Sequence, residues 1–219
     1  NSRKVALCCD TPGFKTDSEV LKGLTIAADA LSNVGFEVHE VIPPLLEETA
    51  KEGYSALLGE VYGLLGDDIR KYGSKKIQMI FDEYFRQFEP YEGRKLLTAM
   101  ANRTRYAREW ALFMDEYPLI ISNLIPTTFF YPDRDAEGAA GVTEVLGAAL
   151  WSYSVNFIGH PAGIVPTHIS YTKTGATPIG IQIIGQRWRE DAVVSALITI
   201  ENHCGTIYEK LWKQLGWLN

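Results

Sequence analysis

The sequence has no apolar run of the length that a membrane-spanning helix requires, which is about 18 residues. The longest candidate, residues 139–154, is interrupted by Glu144 and is rich in glycine. We therefore predict that the protein does not cross a membrane. Apolar and charged residues make up 46% and 22% of the 219 residues. These fractions are typical of a globular domain and exclude a disordered or fibrous chain.

Cysteine is scarce: the chain has three, and two of them, Cys8 and Cys9, are neighbours on a predicted strand. Neighbouring strand residues point to opposite faces, so a disulfide between these two would be strained. The start, Asn1-Ser2-Arg3-Lys4, shows no apolar signal segment, and we expect a reduced, cytoplasmic location. A strand follows this start at once, which leads us to expect a piece of a longer chain.

Positive charge is also in short supply, with 21 basic against 27 acidic residues and a formal net charge of −6. This sign is wrong for a dedicated nucleic-acid-binding protein, so no nucleic-acid partner is expected. Arg103, Arg105 and Arg108 form the one basic cluster, in a predicted helix with acidic neighbours. A solvated helix face is favoured over a phosphate site there.

The usual catalytic and metal-binding templates are absent. The chain contains no Gly-x-Ser-x-Gly turn, Walker loop, Gly-x-Gly-x-x-Gly loop or His-Glu-x-x-His helix. Its four histidines show no ligand spacing, and no Cys-x-x-Cys pair occurs. We therefore expect neither a metal ion nor a cofactor.

Apolar periodicity predicts a strand–helix–strand opening. Residues 4–9 read as a strand, a capping box at Thr16 and Glu19 begins a helix, and residues 36–42 alternate like a strand. A helix that joins two strands in this way is typical of an α/β fold. We predict a single α/β unit over residues 1–219, with a mixed, largely parallel sheet flanked by helices.

The remaining chain extends this pattern. The middle third is mostly helical, and Gly53, Gly59 and Gly63 predict that its first part is an interrupted pair of helices. The last third returns to strands. Its predicted strands and closing helix cover residues 119–122, 162–166, 179–184 and 190–203.

The most informative segment lies in the last third of the chain. Gly159 and Pro161 predict a sharp turn into a buried strand that Pro166 ends, and a second buried strand, residues 179–184, is followed by Trp188. Two strands that end at a shared rim, with an aromatic side chain beyond one of them, would form a wall of a ligand pocket.

A structural interpretation of the same segment remains open. Asn156 and Gln182 would then only satisfy backbone groups, and Trp188 would be a packed surface aromatic. The residues alone do not decide between the two interpretations.

These residues resemble the carboxy-terminal third of amidase signature enzymes. The likeness extends more loosely over nearly the whole chain, and it departs from the family at Thr177 and has His160 at a variable family position. The matching positions are Asn156, Gly159, Pro161, Ala162, Pro166, Pro178, Gly180, Gln182, Gly185, Glu190 and Glu201.

The resemblance implies both the reaction of the family and the part of the enzyme that this chain forms. Enzymes of this family hydrolyse amide bonds with a Ser–Ser–Lys triad whose serines lie in a Gly- and Ser-rich signature. No such stretch occurs in residues 1–219. The resemblance therefore implies that this chain is the carboxy-terminal portion of a longer amidase, holds no catalytic residue and is inactive without its missing amino-terminal catalytic region.

By the same resemblance, the chain supplies part of the sheet and one wall of the substrate pocket. The aromatic side chains near the predicted rim favour a small-molecule amide with an aryl or acyl group. The substrate-binding residues implied are Pro126, Thr127, Phe129, His160, Gly163 and Trp188.

A non-catalytic binding or subunit-like domain derived from the same fold is the alternative function. Monodisperse behaviour of the isolated chain favours this alternative. Part of an amidase would instead expose an apolar sheet face, and would aggregate or need its missing half. A homodimer is left open in both cases.

Overall fold

The computed structural model describes residues 3–172 and 175–218. They divide into two compact units. The first unit takes its residues from 1–44, 110–129 and 159–219, and the second from 45–109 and 130–158. The second unit is thus built from two excursions of the chain.

The elements follow one another as an alternation of strands and helices with a helical middle. A 3-10 turn, Arg134–Ala136, precedes α5, and a π-helical turn, Thr143–Gly147, follows it. In chain order the elements are β1 (Lys4–Cys8), α1 (Ser18–Ser32), β2 (Glu37–Glu40), α2 (Leu46–Tyr72), α3 (Lys75–Gln87), α4 (Gly93–Glu116), β3 (Leu119–Ser122), α5 (Ala139–Val142), α6 (Leu150–Ile158), β4 (Ala162–Thr172), β5 (Gly175–Gly185), α7 (Glu190–Cys204) and α8 (Ile207–Gln214).

The sheet of the first unit has the order β2-β1-β3-β5-β4. β1 pairs in parallel with β2 and β3, whereas β5 is antiparallel to both β3 and β4. The predicted α/β fold with a mixed sheet flanked by helices is confirmed. Its parallel pairings lie in the β2-β1-β3 part, because β4 and β5 follow one another as a hairpin.

The amino-terminal end of α1 differs in detail from the predicted capping box. Asp17 is the N-cap, and its side chain accepts a hydrogen bond of 2.9 Å from the Glu19 amide. The Thr16 hydroxyl instead donates to the Cys9 carbonyl, at 2.8 Å. Thr16 thus ties the start of α1 to the end of β1, and the adjacent aspartate supplies the cap.

The core of the first unit lies between one face of the sheet and helices α1 and α7. Burying an aliphatic side chain of this kind stabilises a fold by about 1.5–3 kcal/mol. Gly23 brings α1 close to the sheet, because a Cβ there would lie 2.9 Å from the Thr167 hydroxyl and 3.0 Å from Ile181. The buried side chains include Val5, Leu24, Leu31, Ile121, Ile183, Val193 and Ile200.

The prediction that Pro166 ends a strand is wrong. β4 continues to Thr172, and the register with β5 shifts between Pro166 and His168. A proline lacks the N–H that a sheet ladder uses, but an edge strand tolerates it at a bulge. β4 is an edge strand of the sheet that the described residues form.

The second unit contains α2 as one continuous helix, where the sequence predicts an interrupted pair. Two of the glycines in question serve close packing instead. A Cβ at Gly53 would lie 2.6 Å from the Phe157 side chain of α6, and a Cβ at Gly59 would overlap the Tyr91 carbonyl oxygen. Glycine here permits helix packing and does not break the helix.

Length alone would allow α2, with 27 residues, to cross a bilayer. Its sequence carries acidic residues in the first turn and basic residues in the last. Across residues 3–172 and 175–218, none of the helices is both long and apolar enough for a membrane crossing.

We expect opposite effects from alanine at two glycines of α2. Gly59→Ala should destabilise the protein by about 1–3 kcal/mol, because its methyl group overlaps the Tyr91 carbonyl. Gly63→Ala, whose Cβ would meet no atom within 4 Å, should stabilise it by about 0.5–1 kcal/mol through helix propensity. Urea unfolding measures both, and equal effects would contradict the packing described for Gly59.

Candidate functional site

Polar side chains meet at the carboxyl ends of the parallel strands β1 and β3. Thr11 follows β1 and Asn123 follows β3, and the Thr11 hydroxyl donates to the Asn123 side-chain oxygen at 2.9 Å. Both residues are buried, with 2% and 0% of their surface exposed. Ligands of α/β sheets bind at this edge, so we take it as the candidate site.

Two further polar side chains extend this group across the sheet. Ser122 of β3 pairs in register with Gln182 of β5, and the Gln182 amide donates to the Ser122 hydroxyl at 3.3 Å. Both are buried. We call Thr11, Ser122, Asn123 and Gln182 the carboxyl-edge cluster.

Ser122 and Gln182 belong to one cross-strand row of the sheet, which continues to Cys8 of β1 on one side and to Ile164 of β4 on the other. Cys8 pairs with Ser122, and its thiol donates to the Val41 carbonyl at 2.8 Å. Burial raises the pKa of Cys8 far above its usual range, so the thiol stays protonated and is a poor nucleophile. Ile164, next to Gln182 on β4, is half exposed.

The chemistry of the cluster is hydrogen bonding without an activated nucleophile. Ser122 accepts from Gln182, a neutral amide that cannot take a proton from it. The Ser154 hydroxyl donates to the carbonyls of Leu46 and Leu150. Within the described ranges, no group of three or more His, Cys, Asp or Glu residues could hold a metal ion. The cluster can therefore bind and orient a polar group.

One donor of the cluster has no protein partner in the described part of the chain. The Asn123 side-chain nitrogen is buried and forms no hydrogen bond there. A buried amide N–H without a partner costs about 1–3 kcal/mol. It is therefore a candidate donor for a carbonyl group.

The loop after β3 places three of the predicted substrate-binding residues at this edge. The Pro126 carbonyl accepts from the Asp17 amide at 2.8 Å, which fixes the loop at the start of α1. The Thr127 hydroxyl donates to the Phe129 carbonyl at 3.4 Å. Next to them, Thr128 lines a cavity of about 470 Å³ between α1 and β4.

His160 lies at the opposite edge of the sheet. Its Nδ1 is 2.9 Å from the carbonyl of Gly185, which pairs with Leu119 at the amino end of β3. The ring packs near Trp110, with centroids 5.8 Å apart. Burial lowers the pKa of His160, against the opposing effect of the Gly185 hydrogen bond.

Gly163 and Trp188 do not join the cluster either. A Cβ at Gly163 would lie 2.5 Å from Leu197, so this position packs against α7. Trp188 is 86% exposed and has a φ of 64° in the turn after β5. It lies beyond the amino end of β3, on the same side as His160.

The predicted shared rim of β4 and β5 is wrong, since antiparallel strands end at opposite edges. Pro126, Thr127 and Phe129 therefore lie at the carboxyl edge of β1 and β3, away from His160 and Trp188. Substrate contacts stay predictions for all six of the proposed substrate-binding residues, at either edge of the sheet.

The structural interpretation holds for one of the two amides considered. Asn156 donates to the Ser152 carbonyl at 2.9 Å, one turn earlier in α6. Gln182 instead contacts a side chain, Ser122. Thr11 and Ser122 were not predicted from the sequence. The sequence signal that could have identified them is a polar residue at or just after the end of a buried strand.

A cavity of about 540 Å³ lies at the amino edge of the first unit. Arg189 lines it, but this guanidinium forms two hydrogen bonds, of 2.8 and 2.9 Å, with Asp191. These two charges therefore satisfy each other.

Comparison with known proteins decides the family. A sequence model described as Amidase matches residues 1–194. The chain belongs to the amidase family. The resemblance drawn from residues 156–201 is thereby confirmed.

Curated amidase relatives are similar over nearly the whole chain. An indoleacetamide hydrolase of Bradyrhizobium diazoefficiens is 27% identical over 213 residues, which are 97% of this chain and 40% of that protein. A fatty acid amide hydrolase of Medicago truncatula is 27% identical over 89% of this chain and 32% of its own length. The chain thus spans less than half the length of these relatives.

Solved structures show the same fold. A 6-aminohexanoate cyclic dimer hydrolase complexed with substrate matches with a TM-score of 0.71 and 18% identity, over 95% of this chain and 46% of that one. A bacterial aryl acylamidase of the amidase signature family matches with a TM-score of 0.68 and 17% identity, over 93% and 44%. The α/β fold of the amidase family is therefore shown.

The Thr11–Asn123 hydrogen bond should behave as a coupled pair. Thr11→Val should destabilise the protein by about 1–3 kcal/mol, because it leaves the buried Asn123 oxygen without a donor. Adding Asn123→Leu should cost less than the sum of the single changes, as measured by a double-mutant cycle in urea. Thr25→Val, at an exposed helix position, is the control and should change stability by less than about 0.5 kcal/mol. Strict additivity would contradict the coupling.

His160 should make stability depend on pH. Its folded pKa is lowered, so folding favours the neutral ring. Its contribution is present above the ordinary pKa of 6.5 and is lost as the pH falls below that value. His160→Asn can keep a donor to Gly185 but cannot titrate. It loses the ring's packing near Trp110 and should be less stable than the wild type at pH 8, but it should lose less further stability between pH 6.5 and 5; parallel pH profiles would exclude the assignment.

Proposed function

We propose that this chain forms part of the sheet and one wall of the substrate pocket of an amidase that hydrolyses a small amide with an aryl or acyl group. The observation that carries the proposal is the Amidase family match over residues 1–194. The relative from Bradyrhizobium diazoefficiens is named for indoleacetamide, a small amide that carries an aromatic indole ring. The amide-bond substrate class follows from the family and not from the cluster alone.

The carboxyl-edge cluster suits a neutral amide. Such a substrate presents a carbonyl acceptor and N–H donors, and the cluster offers the complementary groups on neutral side chains. The Asn123 nitrogen is a donor without a protein partner in the described ranges. The four members of the cluster are uncharged, so a charged substrate would find no side chain of opposite charge within it.

The loop that leaves β3 extends the proposed wall. Pro126 is anchored to α1 through the Asp17 amide, and Phe129 adds an aromatic surface that an aryl or acyl group could contact. His160 and Trp188 lie away from this edge, whereas Gly163 is one row from Gln182 in the sheet and packs against α7. We propose the first contacts with substrate for Pro126, Thr127 and Phe129.

The nucleophile and its base are proposed to lie outside these 219 residues. Serine attacks an amide only when a neighbouring base takes its proton. In the part of the chain that the structure describes, Ser122 accepts from an amide and Ser154 donates to two carbonyls, and neither contacts such a base. The chain also covers 40% of the length of its Bradyrhizobium diazoefficiens relative, which leaves ample chain for a catalytic region.

Two further predictions belong to the same proposal. A cytoplasmic location rests on the pattern of cysteines, which are three free thiols in the structure. A homodimer is kept as a prediction for the assembled enzyme.

The proposal is tested by ammonia release from indole-3-acetamide. We expect turnover by the product of the complete reading frame that contains this chain, and none by the 219 residues alone. In the complete product, Gln182→Leu should lower kcat/KM at least tenfold, equivalent to about 1.4 kcal/mol of transition-state binding. Gln186→Leu, which removes a hydrogen bond to the Met114 carbonyl at the other edge, is the control and should keep kcat/KM.

The outcomes separate the two candidate functions. Hydrolysis by the 219 residues alone, or a reading frame that starts near Asn1, would overturn the placement of the nucleophile. Binding of indole-3-acetamide by the complete product without any turnover would favour a non-catalytic binding or subunit-like domain. Equal losses from Gln182→Leu and Gln186→Leu would overturn the assignment of the carboxyl edge.

A further inference from the structure

The second unit contains a groove of its own, formed by helices α2, α4 and α6. Its volume is about 370 Å³, within the range of small-molecule sites. We call it the α2–α4–α6 groove. Its lining includes Leu57, Glu60, Met100, Arg103, Tyr153 and Phe157.

The walls of the groove are mainly apolar and held by packing. Leu57 and Met100 are 47% and 43% exposed, so a ligand could cover apolar surface that water now contacts. Phe157 sits directly on Gly53, where a Cβ would lie 2.6 Å from it. The Tyr153 ring packs on Tyr54 with centroids 4.3 Å apart. These contacts fix both aromatic walls before any ligand binds.

A single cation lies in this apolar setting. The Arg103 Nε donates to the Phe157 carbonyl near the end of α6, which fixes the plane of the guanidinium group. In the described residues Arg103 forms no ion pair, whereas Arg70, Arg86 and Arg134 of the same unit are each paired with a carboxylate. Arg103 is also partly buried. Its two terminal nitrogens remain available to a ligand.

The other polar lining groups are compatible with an anion at Arg103. Asn156 and Ser152 are hydrogen-bonded to each other through the Asn156 amide, at 3.3 Å. Glu60 lines the groove from α2, but it is exposed, and water and salt screen its charge. The one partly buried charge of the groove is therefore positive.

We propose that the α2–α4–α6 groove binds a small carboxylate with an apolar body, such as an aryl- or alkylacetic acid. The carboxylate pairs with the terminal nitrogens of Arg103, a planar geometry that arginine provides and lysine does not. The apolar body covers Leu57, Met100 and Phe157. The proposal is independent of the proposed amidase function, because it concerns binding by residues of the second unit alone.

The test is a titration of the ¹⁵N-labelled protein, followed by backbone amide shifts, with phenylacetate and its neutral match phenylacetamide. Phenylacetate should bind at least tenfold more tightly and shift amides of α2, α4 and α6. Arg103→Gln should weaken phenylacetate binding at least tenfold and leave phenylacetamide unchanged, with Arg103→Lys in between. Arg105→Gln, an exposed arginine on the same helix outside the groove, is the matched control.

A second variant covers the case in which Arg103→Gln disturbs the fold. Leu57→Trp fills the groove from an exposed position and keeps the arginine, and it should also abolish phenylacetate binding. The proposal would be overturned if phenylacetate and phenylacetamide bound with equal affinity, or if Leu57→Trp kept the full affinity for phenylacetate. It would also be overturned if Arg105→Gln lost as much affinity as Arg103→Gln, or if the amide shifts were confined to the first unit. No assay of hydrolysis enters this test, so its failure leaves the proposed amidase function untouched.

Discussion

The candidate site depends on the parallel pairing of β1 with β3. These strands are separated by the helical middle of the chain, yet their pairing brings Thr11 and Asn123, 112 residues apart, within hydrogen-bond distance. A parallel pair aligns the carboxyl ends of its strands at one edge. The polar residues that follow β1 and β3 therefore lie close together at this edge of the sheet.

β5 completes this arrangement from the other direction. It runs antiparallel to β3, so Gln182 meets Ser122 at the carboxyl edge, while Gly185 meets Leu119 at the amino edge. One strand thus contributes to both edges. This antiparallel strand separates Gln182 from the turn that carries Trp188, although only a few residues lie between them in the sequence. The turn residue Trp188 therefore does not share an edge with the cluster.

Much of the fold could be predicted from local patterns. Short apolar runs predict strands β1 and β3, apolar residues at helical spacing predict helix α1, and these side chains are buried as expected. The glycines of α2 were misjudged for a physical reason: at Gly53 and Gly59 the missing side chain makes room for Phe157 and Tyr91. Local sequence cannot distinguish a glycine that breaks a helix from one that admits a neighbour.

The sequence by itself was sufficient to predict the family and the α/β class, because motif spacing and apolar periodicity are properties of the chain. It also supplied Pro126, Thr127 and Phe129 of the loop after β3 as candidate substrate-binding residues. The tertiary structure decided which polar residues share an edge. Strand direction depends on pairing partners far away in sequence, and reversing one strand moves its terminal residues to the other edge of the sheet. For that reason Gln182 joins Thr11 and Asn123, whereas His160 lies with Gly185 at the opposite edge.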